Sequence, residues 1–267
     1  MVLSPVETRE LALADIIGEA CMGLGAGSTV MLQLALRPVG LGVAEHSATL
    51  NRPLDRLRTT ATFVMCMVLG TETERRAIAR MVNKAHVPVR SSEYNAFDPD
   101  AQLWVAATLA RNSEQMYERT FGPLSDASRE RIYRDSWVFG TVLQVRPEQW
   151  PPTRAEFEDY WASMQSQLSA EPGVQDYARQ LLTVRGKPLI AKPLMPLQSL
   201  MTRGNLSAEQ RALLGLPWSA RDQRRYDLFW RWFPAVYGRV PRFVRTLGAR
   251  VNLLDMRVRM KLGRRVI

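Results

Sequence analysis

The chain has 267 residues, 46% hydrophobic and 23% charged, which is length and composition enough for a sizeable buried core and excludes a disordered or collagen-like protein. With two histidines, two cysteines and no C-x-x-C, H-E-x-x-H or E-x-x-H spacing, zinc ribbons, zincins and helical di-iron carboxylate sites lack a ligand set, and a disulfide framework is out of reach. Residues 220–267 hold thirteen bases against Asp222, Asp227 and Asp255, so the entire net charge of +10 sits there and residues 1–219 are neutral.

Cys21 and Cys66 are expected as buried free thiols. The opening Met-Val-Leu-Ser-Pro-Val-Glu-Thr-Arg-Glu has neither the basic flank nor the apolar run of a secretory signal. The most apolar stretches, 29–43 and 61–70, fall short of the roughly 18–20 residues of a membrane span. The expected location is the cytoplasm, with membrane association only at a surface.

Hydrophobic spacing is helical almost throughout, and no stretch keeps the strict alternation of a strand. The expected fold is all-α, a single large helical domain of nine or ten helices. Gly23-Leu-Gly-Ala-Gly27 lacks the lysine of a phosphate loop and the third glycine of a dinucleotide fingerprint, and it is expected to break two apolar helices apart. A helix starting near Pro53 crowds polar and cationic residues into its first two turns and is wholly apolar from Phe63 to Gly70. Arg56 and Thr60, four apart, share a face where those halves meet.

Thr71 and Glu74 form a capping-box signature, opening a helix that ends at His86 before Pro88. Ile78, Val82 and His86 share its apolar face. His86 is therefore either a core histidine satisfied by one hydrogen bond or a single axial ligand to haem iron, which requires a neutral imidazole in an apolar pocket. Asp98-Pro99 reads as an N-cap followed by proline at the first helical position, and Ser125, Ser207 and Ser219 read as further caps. After Pro151-Pro152, Thr153 and Glu156 read as a second capping box, opening a helix whose Phe157, Tyr160, Trp161, Met164 and Leu168 form one stripe.

Loops are expected at 87–99, 145–153, 170–174 and 186–205, with the proline-rich segment 186–196 as the best candidate boundary or, equally, a long strap lying over the helices of one domain. From Pro241, Phe243, Leu247, Val251, Leu254 and Val258 form an apolar helical stripe flanked by arginines. Two readings fit it: a helix packed on its own domain, or one lying on an anionic bilayer. The expected organisation is a helical domain over 1–240 and a basic amphipathic helix and tail over 241–267. No nucleic-acid-binding motif appears, and no nucleic acid is expected as partner.

In order along the chain stand Gln33-Leu-Ala-Leu-Arg-Pro-Val-Gly-Leu-Gly-Val-Ala-Glu-His-Ser47, Arg56-Leu-Arg-Thr-Thr60, Gly70-Thr71, Lys84-Ala-His86-Val-Pro-Val89 and Tyr94-Asn-Ala-Phe-Asp-Pro-Asp-Ala-Gln-Leu-Trp-Val105, then Gly122-Pro-Leu-Ser125 and Trp150-Pro151. Over about 10–240 this series resembles the catalytic domain shared by the MpaB oxygenases and the latex-clearing (rubber) oxygenases. The resemblance implies an all-helical domain enclosing a pocket for b-type haem, with O₂ and a hydrophobic small molecule as reactants. It places the axial histidine on His86 and the family's R-x-x-x-T pair on Arg56 and Thr60. His46 and Glu45 are the candidates nearest the family's base. Arg52, Arg58, Lys84 and Tyr94 are expected around the cofactor, the cations toward its propionates, and Phe63 and Trp104 against its apolar faces. Latex-clearing proteins carry a lysine immediately before the motif's threonine, where this chain has Thr59, and this points away from rubber as substrate. The alternative function is a haem-binding or interaction protein of the same fold without turnover.

Overall fold

A computed structural model describes residues 9–46, 52–183 and 192–267, with the side chains of Pro53 and Leu54 left aside. Leu13–Ile16 (α1) and a 3₁₀ turn lead into Gly23–Leu34 (α2) and Arg37–His46 (α3). Pro53–Leu69 (α4) and Glu72–His86 (α5) follow as a pair joined by Gly70-Thr71, then the long Pro99–Phe121 (α6), Asp126–Ser136 (α7) and the short Val138–Thr141 (α8). Arg154–Gln167 (α9), Pro172–Leu182 (α10), Met195–Gly204 (α11), Ala208–Leu213 (α12) and Ala220–Tyr237 (α13) continue to Arg242–Arg245 (α14) and Leu247–Lys261 (α15). Among the described residues there is no strand, only one isolated bridge between Arg90 and Asn95. The helices form one all-α domain, as the periodicity predicts, but they outnumber the nine or ten expected because α1, α8, α12 and α14 are too short to leave a periodic signal.

The caps explain where the helices begin. Thr71 accepts from the Glu74 amide while the Glu74 carboxylate returns to the Thr71 amide, a complete capping box. Ser207 with Gln210 and Ser219 with Asp222 repeat it, and Asp98 and Ser125 cap α6 and α7 singly. Thr153 also caps α9, but Glu156 bonds the Thr153 hydroxyl rather than its amide.

Two expectations are corrected. The glycines at 23–27 break nothing; they lie in the first turns of α2, which packs on both α6 and α11. A Cβ on Gly25 would stand 1.7 Å from Asn112 Oδ1, and one on Gly27 would stand 1.9 Å from Thr202 Oγ1. These glycines serve close helix approach rather than a turn. The expected loop at 186–205 is helical over Met195–Gly204, where Pro196 falls at an N-terminal position that tolerates a missing amide hydrogen. Lys192–Leu194 before it form a 3₁₀ turn, and 186–191 lies outside the described residues.

The main core gathers Leu13 and Ile16 with Met67, Ile78, Ala106, Ile132 and Phe157, and takes in Leu253 and Met256 of α15 and Val266. A second cluster joins α2 to α10 and α12 through Met31, Leu34, Val174, Tyr177 and Leu214. Cys21 and Cys66 are both buried and free, and burial pushes their thiols up to about 11, so they stay protonated near neutral pH. Among the described residues no helix is long and apolar enough to cross a membrane.

Candidate functional site

The pairing of α4 with α5 positions the site. From Arg56 to the end of α4, and from the start of α5 to His86, the chain climbs and descends by about 20 Å each at 1.5 Å per residue. The two helices are joined by the two-residue turn at Gly70-Thr71 and touch each other, and Arg56 and His86 lie at matched distances from that turn. The electrostatics agree. The pKa of His86 is lowered first by burial and then by the charge of Arg56.

Arg56 is reached by solvent, yet surrounding protein desolvates its guanidinium enough to lower its pKa. Tyr177 of α10 also lies within electrostatic reach of it. Among the described residues its guanidinium has no carboxylate partner and no hydrogen bond. The hydroxyls of Thr59 and Thr62 bond back to the carbonyls of Arg56 and Arg58, whereas that of Thr60 is tied to none of the described residues.

His86 is half-buried, and its ring meets Phe97 edge to face at 6.3 Å between centroids. Its Nδ1 is buried without a hydrogen-bond partner among the described residues. This departs from the usual satisfied core histidine, and the lowered pKa favours the neutral ring that metal ligation requires. Among the described residues no three His, Cys, Asp or Glu side chains converge as a ligand set.

The segment between α5 and α6 folds back on itself through Ser91 N–H to Tyr94 O and Ala96 N–H to Val89 O. It carries Tyr94 against α3, where the phenol donates to Glu45 Oε2 at 2.7 Å and lies 2.8 Å from His46 Nε2. Tyr94 has one proton and gives it to Glu45, so His46 must carry its hydrogen on Nε2. The carboxylate raises the phenol's pKa. Arg37 fastens the segment by pairing with Glu93 and Glu171, both at 2.7 Å.

Sequence reasoning missed the supports behind this arrangement. Asn83, one turn before His86, accepts from Gln144 Nε2, and Gln102 bonds Gln144 and the carbonyl of Ala96. This amide network ties the last turn of α5 to α6 and to the Tyr94 segment. Ala96 and Gln102 belong to the Tyr94–Val105 motif, whereas Asn83 and Gln144 lie outside every motif.

The chain matches the family model described as ER-bound oxygenase mpaB/B′/rubber oxygenase, catalytic domain, over residues 15–236. It belongs to this family. Two uncharacterized proteins, from Mycobacterium bovis and Mycobacterium tuberculosis, are each 35% identical to it over 250 residues, spanning 90% of this chain and 98% of the relative. No solved structure matches it.

The mpaB/rubber oxygenase motif residues spread unevenly around the site. Arg56 and His86 come within electrostatic reach, and His46 and Tyr94 are joined directly to each other. Arg58 is held instead by Asp55 at 2.9 Å and by the carbonyl of Val266 at 2.8 Å, tying α4 to the C-terminus. Arg52 makes a longer contact with Asp55 at 3.7 Å, and Lys84 is exposed. Trp104 is fully buried against Trp161 and donates to the Leu32 carbonyl, so it is a core side chain and does not line an open slot. Phe63 packs at the edge of the main core.

Proposed function

We propose that this mpaB/rubber oxygenase family member is a haem-b-dependent oxygenase acting with O₂ on a hydrophobic small molecule. The observation that carries the reading is His86: an imidazole whose pKa is lowered by burial, with a buried nitrogen that has no partner among the described residues, within electrostatic reach of Arg56. A lone imidazole suits a metal whose remaining ligands arrive with the cofactor, and that is what haem offers.

His86 would hold the iron, and the bound haem supplies the activation of O₂. Arg56 is the strongest candidate for an anionic partner, a propionate or a polar group of the reactants, because its guanidinium is desolvated and has no partner among the described residues. Arg52 and Lys84 are the further propionate candidates, whereas Arg58 is committed to structure. The Thr60 hydroxyl shares the face of Arg56 and orients a polar atom there. His46, Tyr94 and Glu45 form a chain in which His46 Nε2–H donates to Tyr94 Oη and Tyr94 donates to Glu45, so a proton entering at His46 has a path to the carboxylate.

The test is to load the purified protein with haem, reduce it, and measure O₂ consumption in the presence of apolar olefinic compounds. Consumption that depends on substrate supports the oxygenase. A stable ferric spectrum indifferent to every reductant and substrate would instead show a haem-binding protein without turnover.

A further inference from the structure

The apolar stripe of the C-terminal region points outward. Phe243, Leu247, Val251, Leu254, Val258 and Leu262 are each between 46% and 64% exposed. At 100° per residue the members on α15 fall within an arc of about 60°. Ala249, Leu253 and Met256, on the opposite side, hold α15 to the domain. The helix thus has two apolar faces, and the domain covers one of them. A second exposed row, Leu228, Trp232 and Val236, runs along α13 at four-residue spacing.

The charge beside the open face selects what covers it. Arg239, Arg250, Lys261 and Arg264 have no acidic partner among the described residues, and Arg250 and Lys261 border the stripe directly. A second copy docked face to face would set one +10 region against another, because a twofold interface pairs each patch with itself. An anionic lipid surface complements both features, burying the aliphatic stripe and attracting the flanking bases.

We propose that the outward face of α14 and α15 docks on an anionic bilayer, with α15 lying in the plane of the interface. The contact goes beyond the haem reading and does not depend on it. Because α15 packs on α4, a docked bilayer would lie next to the helix that carries Arg56.

The experiment is flotation of the full chain with vesicles of phosphatidylcholine alone and of an equal mixture of phosphatidylcholine and phosphatidylglycerol. Neither haem nor turnover is needed, so failure here leaves the oxygenase reading standing. Binding is expected to the mixed vesicles only, with release by added salt and a loss of at least about tenfold in affinity for Arg250→Glu/Arg264→Glu. Val251→Glu/Leu254→Glu, at exposed positions that leave the core intact, is expected to abolish it. Equal, negligible flotation with both compositions at low salt would overturn the proposal. So would binding untouched by Val251→Glu/Leu254→Glu, or a dimer in sedimentation that this double substitution dissociates while the parent chain ignores vesicles.

Discussion

Arg56 of α4 and His86 of α5 lie within electrostatic reach of each other, and after burial it is the charge of Arg56 that holds the imidazole below its ordinary pKa. The arginine has no carboxylate partner of its own among the described residues. A desolvated, unpaired cation beside a neutral histidine is unfavourable in an isolated fold, and such arrangements concentrate where a protein binds or reacts.

With the folded-state pKa of His86 below its unfolded value of about 6.5, the folded protein binds fewer protons than the unfolded chain between the two. The stability associated with the neutral ring is therefore complete above the unfolded value and declines as pH falls through the lowered one. Proton NMR can follow this directly, since the chain has only two histidines. We expect His86 to titrate below the ordinary range and its midpoint to rise in Arg56→Gln, while an unchanged midpoint would place the guanidinium out of reach of the ring.

Arg56→Leu should separate stability from function. Removing an unpaired, partly desolvated charge is expected to leave the melting temperature of the haem-free protein unchanged or to raise it by up to about 3 °C. Haem retention should weaken in the same variant. A marked fall in melting temperature would mean that Arg56 has a structural role in the fold.

The caps and helix periods were legible in the sequence because they are local: Thr71 with Glu74 and Asp98 with Pro99 specify their helix starts within four residues. The apolar face through Ile78 and Val82 likewise marked His86 as unusual. What could not be read depended on partners distant in the chain. Gly25 and Gly27 look like a break until α6 and α11 lie across them, and Arg58 looks like a free cation until the C-terminal carbonyl of Val266 reaches it. The stripe on α15 was visible, but its direction was not, because Ala249, Leu253 and Met256 form an equally apolar opposite face.

Gly25→Ala tests the packing that replaced the expected helix break. Its new methyl would meet the Asn112 side chain and Met116, which must shift. We expect a destabilisation of about 1–3 kcal/mol by chemical denaturation, larger than for Gly23→Ala, where nothing lies within 4 Å of the added carbon.

Tyr94→Phe removes the hydroxyl that joins Glu45 and His46 and leaves the buried ring in place. The expected cost is about 0.5–1.5 kcal/mol in stability. Haem loading should survive and turnover should fall. Full turnover would remove the His46–Tyr94–Glu45 chain from the proposed chemistry.

The central claim is that His86 is the protein's ligand to haem iron, and the visible spectrum of haem-titrated protein tests it most directly. The wild-type chain and His46→Ala are predicted to give the same saturable Soret band, which is lost or strongly shifted in His86→Ala. A His86→Ala variant that binds haem with the wild-type spectrum and affinity would contradict the account.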